Sequence, residues 1–456
     1  GLLFLFLITL ATFSLMYQIG TLDKGLYLVF TVAVVIHLAA VLCVYYSGFG
    51  FGGGADFTGY HQSAVDISSR LKQGNFSLDG LGLINYYPVL IALVYAVTLP
   101  EVIIGNLFTV WLAGFSVMLT YLLVLEIGGT KKTALLAGLI ITAYPSYLYF
   151  GSVLLKDTVV IPLVLVGSLL IARMLKHFSW LIFLAFFVIL TALIHLRFYV
   201  GYALLLSLIL SWPLLSNYHI KKRMAYWLVI ILLLGFSPFV LGSGYYGSDH
   251  LKKFLNVDKI TYFREIVYTP HSPLGPSPTV SPQPSAPQPP APQPAPAQPP
   301  APQPTAPQPE TQKLVLEGSG STFVLETGFD DGFFTFSKNT FKSFMYSLLG
   351  PFPWQFNNQK QLVGLAETIP WYLLIGMFFY GSAGFIRQRG PRAFFQHLKP
   401  GLPLVLFSIF GLAALALFIN NYGIIARIRM PMCICLVLVM CLIFQKKFYE
   451  QARTTY

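Results

Sequence analysis

The sequence predicts an all-α integral membrane protein, and three observations carry that prediction. The chain is 55% apolar and only 10% charged, with a mean hydropathy of +0.68, which marks a membrane class before any motif is read. Apolar runs long enough to cross a hydrocarbon core of about 30 Å recur along its length. When those runs are threaded through a bilayer, the basic residues of the connecting loops gather on one side.

Taken in order, the runs lie near 1–20, 27–46, 102–126, 133–153, 158–175, 178–195, 199–215, 224–241, 363–386, 402–420 and 430–445, about eleven spans. The first run lacks a basic leader region and a small-residue cleavage site, so it is expected to remain as a span. A twelfth stretch, 86–99, is short and suits a partly inserted or interfacial helix. With that assignment, one side receives Lys24, Lys131, Lys132, Arg173, Lys176 and nine other lysines and arginines up to Lys447, then Arg453, fifteen basic residues against Asp23, Glu126 and Glu450. The positive-inside rule makes that side cytoplasmic. The remaining charge balances at fourteen basic and fourteen acidic residues, so the net charge of +12 is an inner-face excess and nucleic-acid binding is not implied. Cys43, Cys433, Cys435 and Cys441 all fall inside apolar runs, giving no reason to expect a disulfide or a metal site.

Three regions follow from this map: an N-terminal bundle at 1–241 with a first outer loop at 47–101, an outer segment at 242–361, and C-terminal spans at 362–456. The first outer loop opens on a glycine cluster at Gly48, Gly50, Gly52, Gly53 and Gly54. Behind it, 60–72 carries Ala64, Ile67 and Leu71 at helical spacing with Asp66, Arg70 and Lys72 on other faces, the pattern of an amphipathic helix lying along the membrane. The second outer segment holds 18 of the 31 prolines within 270–309 and has no formal charge from Ser272 to Pro309. That composition is expected to be disordered, with polyproline II spans reaching roughly 120 Å. Its flanks, 246–268 and 313–349, are expected to form short strands or helices, and the paired prolines and tryptophans of 351–371 suit an interfacial anchor.

Charges near membrane depth are costly and call for a functional reading. Asp56 follows the glycines in the first outer loop, where a carboxylate can act as a general base toward a substrate at the membrane surface; an acidic residue in a glycine-rich turn is the plain alternative. Lys156 and Asp157 follow Tyr144-Pro-Ser-Tyr-Leu-Tyr-Phe-Gly-Ser152 at an outer helix end. They suit a phosphate and a sugar hydroxyl, or else a mutual ion pair that caps the next helix. Arg197, in His195-Leu-Arg-Phe-Tyr199, offers a planar donor fork to phosphate or snorkels to headgroups. His195 and His61 read as hydrogen-bonded structural histidines. The sharpest signal is Asn420-Asn-Tyr-Gly-Ile-Ile-Ala-Arg-Ile-Arg429, where Arg427 and Arg429 beside hydrocarbon suit a lipid-linked phosphate or diphosphate, with phospholipid headgroups as the alternative partner.

On these pieces the chain resembles the GT-C superfamily, the polyprenyl-phosphate-sugar-dependent membrane glycosyltransferases related to dolichyl-phosphate-mannose mannosyltransferases. The pieces are Gly54-Ala-Asp-Phe-Thr-Gly-Tyr-His61, Asn85-Tyr-Tyr-Pro-Val-Leu90, Leu155-Lys-Asp157, Pro351-Phe-Pro-Trp354 and Asn421-Tyr-Gly-Ile-Ile-Ala-Arg-Ile-Arg429. The resemblance implies a GT-C-like fold and a catalytic base at Asp56. It also implies lipid-phosphate binding by Arg197, Arg427, Arg429 and Lys156, with Asp157, Tyr60 and His61 as further substrate contacts. The chain departs from that pattern in having no Asp-Glu or Asp-x-Asp pair at Asp56 and no soluble C-terminal domain, which leaves open whether a divalent cation takes part.

The expectation is therefore a multi-pass protein of a bacterial inner membrane that transfers a sugar from a polyprenyl-phosphate donor to a glycan, lipid or protein acceptor on the extracytoplasmic side. Two alternatives stand beside it: a polysaccharide polymerase or ligase acting on a lipid-diphosphate-linked glycan, and a non-catalytic membrane scaffold.

Overall fold

The computed structural model describes residues 1–18, 23–48, 54–78, 85–236, 260, 333–352, 354, 365–419 and 422–454. These belong to a unit made of Gly1–Thr269 and Ser319–Tyr456, and Pro270–Gly318 form a second unit that lies outside the described residues, together with the proline tract at 270–309. Of the outer segment 242–361, the described part is Ile260, a helix over Phe333–Leu349, and the residues up to Phe352 with Trp354.

The described chain is all-α, with no strand among its described residues. In order the helices are α1 (Leu2–Gln18), α2 (Lys24–Ser47), α3 (Gly54–Lys72), α4 (Tyr87–Val97), α5 (Val102–Glu126), α6 (Lys131–Thr142), α7 (Pro145–Phe150), α8 (Asp157–Lys176), α9 (Trp180–Leu215) and α10 (Ile220–Phe236). They continue with α11 (Phe333–Leu349), α12 (Leu365–Leu398), α13 (Leu402–Phe418), α14 (Tyr422–Ile428) and α15 (Met430–Thr454). Five helical stretches, Lys24–Ser47, Val102–Glu126, Asp157–Lys176, Trp180–Leu215 and the run Leu365–Phe418, are long and apolar enough to cross a membrane. The protein is an all-α membrane protein on that basis. Leu2–Gln18, Tyr87–Val97 and Met430–Phe444 are apolar but shorter.

The core joins α2 to α5, α5 to α6 and α8, α8 to α9, and α9 to α13, which in turn packs on α15 and α11. Helix starts follow local chemistry. Asp23 accepts a hydrogen bond from the Gly25 amide at the head of α2, and Thr130 accepts one from the Thr133 amide at the head of α6, each satisfying an otherwise orphaned donor.

Three elements differ from the apolar runs of the sequence, each for a physical reason. The run 133–153 is two helices, because Pro145 forces Tyr144 into an extended conformation at φ −66, ψ 116 and α6 stops before it. The runs 178–195 and 199–215 join as α9, but Arg197 is non-helical at φ −151, ψ 88. A Cβ built on Gly201 falls 3.1 Å from the Ile194 backbone nitrogen. Seven residues of straight helix rise about 10 Å, so the two halves of α9 fold back on each other, and any side chain at 201 would crowd Ile194 where they meet. In α12 the break is at Gly390, φ 81, a left-handed conformation that favours glycine; across it Phe385 and His397 stack at 5.6 Å. Finally, the amphipathic helix expected over 60–72 starts earlier, at Gly54. Its Ala64 and Ile67 are buried in a cluster with Tyr87 and Ile91 of α4, which is what their spacing asks for.

Candidate functional site

Because α3 begins at Gly54, Asp56 sits in its first turn, where the helix dipole favours a carboxylate; it is fixed on a helix rather than carried by a slack glycine loop. Asp157 is the first residue of α8. Arg197 occupies the reversal inside α9, and Arg427 lies in the last turn of the short helix α14. Four distant stretches of chain meet at these side chains.

Asp157 is the hub and is 3% exposed. Its Oδ1 accepts from Arg197 Nε at 2.8 Å and lies 2.7 Å from Arg197 Nη2, while its Oδ2 accepts from Arg427 Nε at 2.6 Å. Arg427 Nη1 then donates to Asp56 Oδ2 at 2.8 Å, and Arg197 Nη1 donates to the Tyr199 hydroxyl at 2.8 Å. One guanidinium thus ties the carboxylate of α3 to the carboxylate of α8. The Asp56 side chain is 49% exposed against 4% for Asp157, so Asp56 forms the open end of this chain of charges. The mutual Lys156–Asp157 pair considered from the sequence does not form. Asp157 does head the helix, but its partners are two arginines.

Lys156 stands beside the cluster, and its ammonium makes no hydrogen bond or ion pair among the described residues. Burial, then the Arg197 guanidinium, push its ammonium down to about 8. Asp56, Asp157, Lys156, Arg197 and Arg427 together carry three cations against two anions, an excess of one positive charge with a half-buried ammonium as its uncommitted member. Tyr60 lies one turn along α3 and packs edge-on against Tyr87 at 5.1 Å. Burial first, and then the Asp56 carboxylate, hold its phenol above the usual range. His61 turns to α4, where its Nδ1 lies 3.0 Å from the Tyr95 hydroxyl, and burial lowers its basicity. His195 shares its Nδ1 with the Thr191 carbonyl at 2.9 Å, a structural contact within its own helix.

Arg429 belongs elsewhere. It is 1% exposed, its Nη2 donates to Glu367 Oε1 at 2.6 Å, and its Nη1 donates to the carbonyls of Gly350 at 2.6 Å and Ser347 at 3.3 Å. Glu367 also accepts from the Tyr144 hydroxyl at 2.8 Å and from the Ser146 hydroxyl. Two residues apart in sequence, Arg427 and Arg429 therefore serve two different carboxylates. Glu367 is not among the candidate residues read from the sequence; it lies where the interfacial segment 351–371 overlaps the apolar run 363–386, and the available signal is a lone carboxylate inside that run.

No group of three His, Cys, Asp or Glu side chains suited to a metal occurs among the described residues. Asp56 and Asp157 already share Arg427, so a guanidinium stands where a divalent cation would need both carboxylates. Among the described residues the donor set does not fit a metal. The four cysteines are free thiols, with Cys43 exposed and Cys433, Cys435 and Cys441 buried.

Compared with protein-family models, with curated proteins and with solved structures, the chain has no match. The glycosyltransferase resemblance accordingly rests on the short sequence motifs alone.

Proposed function

We propose that the protein is a multi-pass glycosyltransferase of a bacterial inner membrane, using a polyprenyl-phosphate-linked sugar on the extracytoplasmic side. About eleven spans and the positive-inside bias give the orientation, with α3 and the start of α8 facing out. The observation that carries the reading is the Asp56–Arg427–Asp157–Arg197 chain with Lys156 left over beside it. An excess cation at the end of a fixed, buried framework suits a phosphate, and an exposed carboxylate at the open end suits an acceptor hydroxyl.

In this reading Lys156, with Arg197 and Arg427 behind it, holds the donor phosphate, and Tyr60 and His61 border the sugar. The acceptor oxygen attacks the anomeric carbon while Asp56 takes its proton. The bond from that carbon to the phosphate oxygen breaks, its electron pair leaves with the polyprenyl phosphate, and the added negative charge falls on the cations. Displacement inverts the sugar carbon. Asp157 touches neither substrate; it keeps two guanidiniums aimed. Arg429 has no direct part, since its Nη1 and Nη2 donate to Glu367 and two carbonyls at a separate carboxylate. A glycan, lipid or protein could serve as acceptor.

The polymerase or ligase alternative would use the same cations without a base. The direct Arg427–Asp56 bond favours keeping Asp56 in the machinery. The test is transfer of a radiolabelled sugar from polyprenyl phosphate by the full chain in proteoliposomes. Asp56→Asn should abolish transfer while polyprenyl phosphate still binds; undiminished transfer would remove the general base and with it this mechanism.

A further inference from the structure

A second cluster of charge lies at the opposite end of α8. That helix runs from Asp157 to Lys176, 20 residues, or about 30 Å, so its two ends match the two surfaces of a bilayer. Around its C-terminal end a cavity of about 190 Å³ is lined by the end of α5 (Glu126, Ile127), by Ala172, Leu175 and Lys176 of α8, by Leu215 at the end of α9 with Asn217 after it, and by Lys399 before α13.

The charges in and around it do not cancel. Glu126 Oε1 is 2.7 Å from Lys176 Nζ and its Oε2 is 3.3 Å from Arg173 Nε, so its one negative charge already has two cations. Lys399 is exposed and makes no side-chain hydrogen bond or ion pair among the described residues. Three cations against one anion leave an excess of two positive charges. Apart from Asn217, the rest of the wall is apolar, from Ile127, Ala172, Leu175 and Leu215, and the neighbouring Leu214 is 59% exposed. A free inorganic anion has no use for such a wall. A phosphate carrying acyl chains does, because basic pockets between helix ends at the cytoplasmic surface suit anionic headgroups.

We propose that this cavity binds the phosphate headgroup of an anionic phospholipid of the inner leaflet, with Lys399 as its uncommitted cation and Lys176 and Arg173 setting the positive field. Leu214 and Leu215 meet the acyl chains. The site is separate from the sugar-transfer cluster, so its test reads lipid binding and is indifferent to transfer.

The full chain, purified in detergent and stripped of native lipid, is titrated with short-chain phosphatidylglycerol or phosphatidylcholine and followed by native mass spectrometry. Phosphatidylglycerol should form a one-to-one adduct that phosphatidylcholine does not, and Lys399→Gln should weaken it about fivefold. Lys221→Gln, an exposed lysine assigned to the same surface but away from the cavity lining, should change it less than twofold. Equal binding of both lipids, no effect of Lys399→Gln, or an equal loss in Lys221→Gln each overturns the proposal. Full displacement by an equal concentration of inorganic phosphate overturns the lipid assignment, because a free anion would then suffice.

Discussion

Replacing Asp157 by Asn removes one negative charge and keeps the shape of the side chain. In the native protein that carboxylate takes hydrogen bonds of 2.8 and 2.6 Å from two arginines, each less than 10% exposed. The substitution leaves both guanidiniums, and Lys156 beside them, with only Asp56 as counter-charge. Removing one partner of a buried ion pair costs about 3–5 kcal/mol, chiefly from the cation left behind. Asp56→Asn loses a pair whose carboxylate is half in solvent, worth about 0–1 kcal/mol. Thermal unfolding in detergent, followed by tryptophan fluorescence, should show Asp157→Asn melting on the order of 5–10 °C lower and Asp56→Asn close to wild type. The double variant Asp157→Asn with Arg197→Gln should recover part of the loss. If Asp157→Asn melts with wild type, or Asp56→Asn is the more damaged of the two, Asp157 is not the hub.

The other predictions concern neighbouring parts. With its ammonium pushed down to about 8 from 10.5, Lys156 is charged in the fold at about 3 kcal/mol of cost. That cost is fully present below pH 8 and is relieved as pH rises from about 8 toward the unfolded value. Lys156→Gln should accordingly stabilise the protein at neutral pH while weakening donor binding, a combination that melting curves and a binding titration on one sample will show or exclude. Donor affinity of the native chain, measured with a phosphodiester that does not titrate, should fall above about pH 8 by up to tenfold per pH unit; a flat profile to pH 10 refutes phosphate binding by Lys156. Arg429→Lys should cost about 2–3 kcal/mol in melting, because an ammonium cannot serve Glu367 and two carbonyls with one planar fork, yet shift lipid-phosphate affinity less than twofold; a tenfold loss of affinity would return Arg429 to the binding site. Gly201→Val should lose about 1–3 kcal/mol or more, since its Cβ meets the Ile194 backbone, and an unchanged melting temperature would contradict the fold-back in α9.

Much of this was legible in the sequence for physical reasons. Hydrocarbon length and composition gave the long helices, and the rule that ionisable residues at membrane depth need partners pointed to Asp56, Asp157, Arg197 and Arg427, which do meet. What sequence cannot show is which charge answers which. Arg427 and Arg429 look alike as an i, i+2 pair, but the chain turns between α14 and α15 and sends them to Asp157 and Glu367 respectively. Glu367 is hidden in the sequence because it lies at the start of the apolar run 363–386, where hydropathy averages a single carboxylate away. The split at Pro145 was readable from proline chemistry, yet hydropathy alone averages it into a span; that split positions Tyr144 and Ser146 against Glu367.

The most direct test of the account measures polyprenyl phosphate bound to the purified full chain, wild type beside Lys156→Gln and Lys399→Gln. The account predicts about a tenfold loss of affinity in Lys156→Gln and no change in Lys399→Gln. Equal affinity in all three proteins would contradict it.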